Sequence, residues 1–219
     1  PRPRCARRRP TAAPAARAAR SPADTRVVVG HAVEATADEV DRALARARAA
    51  DAWRATPVRE RARLLERAAD LLEEHAPGLL HLAVHEAGKT LPNAVGEVRE
   101  AVDFCRYYAQ QVREEDPGVP LGVVACVSPW NFPLAIFLGQ VAAALAAGNA
   151  VVAKPAEQTP LIAAEAVRLL RQAGFPAEAV QLVPGTGEAV GARLVADPRV
   201  DGVVFTGSTE VAEIIHRTL

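Results

Sequence analysis

Residues 122–155 read GVVACVSPWNFPLAIFLGQVAAALAAGNAVVAKP, and their pattern decides the fold. Gly122-Val-Val-Ala-Cys-Val127 is a short apolar run that stops at Ser128-Pro129. A run of that length bounded by turn residues reads as a buried strand. Pro133 to Ala147 reads as a helix, stopped by Gly148-Asn149. Ala150 to Ala153 is a second apolar run, ending at Lys154-Pro155. Strand, helix and strand in this order make the repeating unit of a parallel sheet with right-handed crossovers.

The same grammar continues downstream. Thr159-Pro160 opens a helix to Ala173, and Gly174 stops it. Val180 to Val183 is a third strand, followed by Pro184-Gly185-Thr-Gly187 and a helix to about Ala196. Gly202 to Phe205 is a fourth strand, and Thr206-Gly207-Ser208 opens a last helix that runs to Leu219. The predicted fold class is α/β: a partial Rossmann-like parallel sheet preceded by helices.

Upstream the pattern is helical. Thr36-Ala-Asp-Glu39 has capping-box spacing and predicts a helix from about Ala37 to Trp53. Thr56-Pro57 is a second start, with proline at the first helical position. Leu64, Leu65, Ala68, Leu71 and Leu72 then share one face. Pro77 restarts the chain, and Gly88 reads as a helix C-terminal glycine. From Asn93 to about Arg113, Val95, Val98, Val102, Cys105, Tyr108 and Val112 mark another stripe. The predicted division is a disordered head over 1–22, a helical part over 23–118, and a partial dinucleotide-binding domain over 119–219.

Composition bounds the function. The chain has 219 residues, 26 basic and 26 acidic, for a formal net charge of zero. Seven arginines and no acid lie in residues 1–20, so residues 21–219 hold 19 basic against 26 acidic groups, a net of −7. The balance is therefore a basic head joined to a mildly acidic body. The head is Arg/Ala/Pro-rich, too poor in apolar side chains to offset ordering entropy, hence the prediction of disorder. Arginine and alanine without acids echo an organelle transit peptide, but serine is nearly absent. The head lacks interleaved aromatics, so no nucleic-acid partner is expected. Among the core-forming residues alanine supplies 47 positions and aromatics nine, which makes for a thinly filled core. No charge-free run of about 20 apolar residues exists, which speaks against a transmembrane helix. Cys5, Cys105 and Cys126 have no CxxC spacing, so neither a disulfide framework nor a metal site is expected, and a cytoplasmic setting fits. The chain has no methionine, not even at position 1, and is read as a piece of a longer chain or one with a misassigned start.

In an open parallel sheet, ligands bind beyond the carboxyl ends of the strands. Ser128-Pro129-Trp130-Asn131, Lys154-Pro-Ala-Glu157, Pro184-Gly-Thr-Gly187 and Thr206-Gly207-Ser208 all stand there. Gly185-Thr-Gly187-Glu-Ala-Val-Gly191 misses the GxGxxG fingerprint by one residue and serves equally as a turn that needs small residues. Gly207 and Ser208 start a helix, where free N–H groups favour a phosphate and where Ser208 can simply cap. Lys154 and Glu157 follow the second strand, where a carboxylate can read a ribose; a surface ion pair is the alternative. Asn131 can donate to an oxyanion or be a turn residue. Cys105 and Cys126 fall on predicted buried faces and make poor nucleophiles.

Six stretches together carry a family resemblance. They are Ser128-Pro-Trp-Asn-Phe-Pro133, Ala147-Gly-Asn-Ala-Val-Val-Ala-Lys-Pro155, Ala156-Glu-Gln-Thr-Pro160, Gln172-Ala-Gly-Phe-Pro176, Val183-Pro-Gly185 and Phe205-Thr-Gly-Ser-Thr-Glu210. In order and spacing, residues from about 23 to 219 resemble the N-terminal half of an aldehyde dehydrogenase. Asn131-Phe-Pro-Leu-Ala-Ile-Phe-Leu-Gly-Gln140 and Glu100-Ala-Val-Asp-Phe104 resemble, more narrowly, the L-glutamate γ-semialdehyde (1-pyrroline-5-carboxylate) dehydrogenase module of proline utilisation A proteins.

The resemblance implies a truncated NAD-binding domain and NAD-dependent oxidation of a small-molecule aldehyde by the parent enzyme, with glutamate semialdehyde the leading substrate. It implies that Asn131 is an oxyanion-hole donor, that Lys154 and Glu157 bind the ribose and favour NAD, and that Ser128, Pro129 and Trp130 line the cofactor channel. It places Gly187 and Gly191 near the adenine, and Gly207 and Ser208 at the phosphate. Three departures stand out. The family's catalytic cysteine and general-base glutamate lie beyond Leu219, so the chain alone is expected to be inactive. Ala212 stands where the phosphate-site helix usually carries glycine. The connection from Glu114 to Leu121 is shorter than in the family, which touches a strand used in assembly of the homo-oligomer expected of the parent. Another aldehyde or semialdehyde dehydrogenase, or a non-catalytic dinucleotide-binding fragment, are the alternatives.

Overall fold

A computed structural model describes residues 16–219. Two short strands come first. β1 (Arg17–Arg20) pairs antiparallel with β2 (Val28–Ala32), with Arg17 opposite Ala32 and a register irregularity between Ala19 and Arg20. The turn between them is held by Ser21 N–H to Val27 O at 3.0 Å and by the Asp24 carboxylate, which accepts from the Arg26 guanidinium at 2.9 and 2.8 Å. For residues 16–22 this hairpin corrects the expectation of disorder and of a boundary at 22/23. Composition misled because the strand is ordered by its pairing with β2 and by burial of its own Ala19. The rest of that expectation, over residues 1–15 with Cys5 among them, lies outside the described residues.

The predicted capping box is present. Thr36 Oγ1 accepts the Glu39 N–H at 3.2 Å, and the Glu39 carboxylate accepts the Thr36 N–H at 2.8 Å. α1 runs over Ala37–Arg48, and a separate turn, α2 (Asp51–Arg54), follows. The single helix expected to Trp53 breaks because Trp53 is drawn into the core. Its ring packs 5.3 Å from Phe175, and its Nε1–H donates to the Asn149 carbonyl at 2.9 Å. α3 (Val58–Glu74), α4 (Ala76–His85) and α5 (Leu91–Glu114) build an outer helical layer. Arg106 to Glu73 at 2.6 Å and Arg113 to Glu66 tie α5 to α3 across their exposed rims.

Four parallel strands form the sheet: β3 (Val123–Val127), β4 (Ala150–Lys154), β5 (Val180–Leu182) and β6 (Gly202–Phe205), in the order β5-β4-β3-β6. Counting from β3, that is the Rossmann order 3-2-1-4. α6 (Ala135–Ala146) is apolar on nearly every face, because the sheet lies on one side and α3 and α5 on the other. α7 (Pro160–Ala173) ends at Gly174 with φ +115°, a left-handed cap that glycine reaches without strain. The helix predicted to continue to Ala196 begins instead as one π turn (Gly187–Gly191), leading into α8 (Ala192–Val195). α9 (Thr209–Thr218) has no buried residue, and Val211 and Ile214 on it are exposed.

Candidate functional site

The strand order reverses direction between β3 and β6, so their carboxyl ends border a crevice. Ser128 leaves β3 with its N–H on the Lys154 carbonyl at 3.2 Å, which ties the ends of β3 and β4 together. Gln140 does the same for β3 and β6. Its Nε2 donates to Val127 O at 3.3 Å and to Thr206 Oγ1 at 3.0 Å. Ser128 Oγ, Gln140 Oε1 and Thr159 Oγ1 are buried without a partner among the described residues. Such atoms are uncommon in folded proteins. Ser128 and Gln140 border the end of β3, and Thr159 stands between β4 and α7.

Lys154 is the most buried charge of the group, at 3% exposed. Its Nζ donates to Pro155 O at 3.0 Å and lies 3.8 Å from a Glu157 carboxylate oxygen. Burial pushes its pKa down, while Glu157, Glu188 and Glu34 pull it back up. Glu157 is the carboxylate in contact with this lysine, while Glu34 is itself paired with Arg17. Gly191 in the π turn packs on this lysine: a Cβ there would lie 3.4 Å from Lys154 Cδ, an ordinary contact. Gly187 is exposed, and a Cβ there would meet nothing within 4 Å, so no described neighbour demands glycine at that position. The Glu157 main-chain carbonyl accepts from Arg17, whose guanidinium also lies 3.5 Å from Glu34.

Pro129, Trp130 and Asn131 project from the β3 end, with Trp130 55% exposed and Asn131 at the surface. Their loop is anchored from behind by Glu97 on α5. This buried carboxylate accepts the main-chain N–H groups of Leu134 at 3.2 Å and Ala135 at 2.9 Å, at the start of α6. Lys89 meets it at 2.6 Å and lies 4.4 Å over the Phe132 ring. Glu86 repeats the device at α7, accepting the N–H groups of Leu161 at 2.7 Å and Ile162 at 2.9 Å. Desolvation raises the Glu86 carboxyl to about 7, against those two hydrogen bonds and the Arg17 charge.

These two glutamates decide where an external anion can go. A helix N-terminus attracts anions through its free N–H groups and dipole. The starts of α6 and α7 already hold buried protein carboxylates. The start of α9 carries only an exposed acid, Glu210, and a weak cap, with Ser208 Oγ accepting Val211 N–H at 3.4 Å. Beside it, a Cβ at Gly207 would push the partly exposed Phe205 ring aside. Among these three helix starts, the one at Gly207 and Ser208 is thus the one without a buried protein carboxylate. Cys105 and Cys126 are fully buried, and desolvation lifts both thiols to about 12, so neither is a nucleophile. Among the described residues no cluster of acidic, histidine or cysteine side chains could hold a metal ion, and no helix is long and apolar enough to cross a membrane.

The profile of the aldehyde dehydrogenase family matches residues 11–219. The chain belongs to the aldehyde dehydrogenase family. The match reaches back past residue 23, so part of the supposed head is family sequence. The bifunctional protein PutA of Klebsiella aerogenes is 58% identical over 203 residues, covering 91% of this chain and 16% of that protein. A 1-pyrroline-5-carboxylate dehydrogenase of Anoxybacillus flavithermus is 40% identical over 212 residues, covering 90% of this chain and 41% of that protein. A crystal structure of 1-pyrroline-5-carboxylate dehydrogenase from Thermus with bound NAD superposes with a TM-score of 0.89 at 37% identity, covering 93% of this chain and 43% of that one. The chain thus spans less than half the length of each.

Sequence patterning alone does not point to Glu97, Glu86, Gln140 or Arg17. Each has at least one partner 37 or more residues distant in sequence, beside nearer ones such as Lys89 for Glu97, Glu34 for Arg17 and Val127 for Gln140. A faint signal exists for Glu97: an acid on the otherwise apolar stripe that contains Val98 and Val102.

Proposed function

We propose that this chain supplies the NAD-binding part of an enzyme that oxidises L-glutamate γ-semialdehyde to glutamate. The substrate rests on the relatives, four PutA proteins at 56–58% identity among them. The cofactor rests on the site, and one observation carries it: a buried lysine held among carboxylates beside the switch point. NAD, when bound, accepts the hydride that leaves the substrate carbon.

The chain's own residues bind and orient. Lys154 and Glu157 take the adenosine ribose hydroxyls, and the Glu157 carboxylate rejects a 2′-phosphate. Gly207, Ser208 and the first amides of α9 take the pyrophosphate, since the other two helix starts are already filled. Gly191 and Gly187 keep the approach to the adenine open. Ser128, Pro129 and Trp130 wall the channel and exclude water. Asn131 is held at the loop tip by the Glu97 anchor and donates its side-chain amide to the oxygen that gains charge as the aldehyde is attacked. The attacking thiol is not Cys105 or Cys126, whose thiolates are suppressed by burial. Dinucleotide binding by residues 1–219 is expected without turnover through either of these cysteines.

The test uses Asn131→Ala in an active enzyme carrying this sequence, with glutamate semialdehyde and an unbranched aliphatic aldehyde as rival substrates. Expected is a loss of kcat of roughly 10²–10³ with NAD affinity retained, as for removal of one oxyanion donor. Unchanged kcat removes Asn131 from the mechanism. A preference for the aliphatic aldehyde removes the substrate assignment.

A further inference from the structure

We propose that the cleft between α1, α7 and the outer edge of β5 is a second ligand site, one that takes a small polyanion bearing two or more carboxylate groups. The cleft holds about 650 Å³ and is lined by none of Ser128, Lys154, Gly207 or Ser208, though it borders their site through Glu34 and Pro184. That volume is in the range of small-molecule sites, about 300–1,000 Å³. The inference does not rest on the cofactor reading.

Four guanidinium groups line it: Arg42 and Arg46 from α1, Arg168 and Arg171 from α7. Two acids line it as well, and both are engaged elsewhere. The Glu39 carboxylate closes the capping box on Thr36 at 2.8 and 2.9 Å, and Glu34 faces Arg17 at 3.5 Å. Arg168 is also engaged, by Glu165 at 2.8 and 2.6 Å and by Gln172 at 2.8 Å.

The other three arginines have capacity to spare. Arg171 gives one hydrogen bond, to Val180 O at 3.2 Å. Arg42 has only a 4.0 Å contact with Glu39. Arg46 makes no hydrogen bond or ion pair among the described residues. Arg42 and Arg46 stand one helical turn apart, where like charges repel. This positive concavity occurs in a body whose residues 21–219 carry a net −7.

The shape of the cation set selects the ligand. The free guanidinium groups sit on two different walls, so an anion with charge at each end satisfies both, and a monocarboxylate satisfies one. Guanidinium forks match planar carboxylates in two-point contacts. β5 is an edge strand, and Leu182 pairs with neither neighbour on its outer side, so its main-chain N–H adds a donor to the floor.

The experiment titrates the 219-residue chain with citrate, with acetate as the single-charge control, by calorimetry at low salt and again at about 0.15 M salt. Expected is saturable one-to-one citrate binding that acetate does not reproduce and saturating NAD does not displace. Arg46→Glu and, separately, Arg42→Glu each weaken it by roughly tenfold or more, with an unchanged melting temperature, since both side chains are exposed. Arg46→Gln gives a smaller loss in the same direction. Absence of saturable citrate binding overturns the proposal, as does binding that both charge reversals leave intact. Citrate displaced by NAD places it in the cofactor groove and overturns the proposal equally.

Discussion

Removing the Glu97 side chain should be the most damaging single change near the site. Glu97 joins four groups at once: Lys89 Nζ at 2.6 Å, the Leu134 and Ala135 N–H groups at 3.2 and 2.9 Å, and, through Lys89, the Phe132 ring. Glu97→Ala leaves the mostly buried Lys89 cation unpaired and two helix-start amides without their partner. Breaking one side of a buried ion pair costs about 3–5 kcal/mol, and each stranded amide belongs to the same penalty and is not added to it. Lys89→Met should cost less, about 1–3 kcal/mol, because the carboxylate keeps both amides. The double variant should be less destabilised than the sum of the two. Urea unfolding of the chain measures all three, and acrylamide quenching of the exposed Trp130 reports the loop beside the buried Trp53. Glu97→Ala within about 0.5 kcal/mol of the parent, or strict additivity in the cycle, would refute the claim that this anchor holds the Asn131 loop.

Other consequences follow from single groups. Glu86 has a folded-state pKa raised to about 7, above its ordinary value of 4.5, so the fold holds its proton more tightly than the unfolded chain does. Stability from this group is present below about pH 4.5 and is lost as pH rises through about 7, by at most about 3 kcal/mol. Glu86→Gln should flatten that fall in urea titrations between pH 5 and 8. Trp53→Phe removes the 2.9 Å bond to the buried Asn149 carbonyl and should cost about 1–3 kcal/mol in the same assay. In a Cys5→Ser background, Cys105 and Cys126 should resist a thiol-specific disulfide reagent at pH 8 until denaturant is added. Arg17→Ala should loosen the Glu157 loop and weaken NAD binding several-fold, with stability changed by less than about 1 kcal/mol because the side chain is half exposed.

The sheet was legible because its strands are short apolar runs between turn residues, and burial on both faces leaves no other use for Val123–Cys126 or Ala150–Ala153. The capping box at Thr36 and Glu39 was legible because both partners lie within one turn. β1 was not: RAAR has no apolar alternation, and its place is set by Val28–Ala32 and by the Glu157 carbonyl, 140 residues away. The break before α2 was hidden for the same reason, since Trp53 answers to Asn149 and Phe175. The π turn was hidden because the packing of Gly191 on Lys154 is tertiary. Of the site, the strand ends could be read directly. What fixes them, namely Glu97, Glu86 and Gln140, belongs to other elements and shows only in three dimensions.

The central claim is that Lys154, set among acids, builds a ribose site for NAD. Parallel calorimetric titrations of the chain with NAD and NADP test it most directly, repeated with Glu157→Gln. The account predicts that NAD binds at least roughly tenfold more tightly than NADP, as one unfavourable charge contact implies, and that Glu157→Gln narrows the gap. Equal affinities, tighter NADP binding, or a gap untouched by the substitution would contradict it.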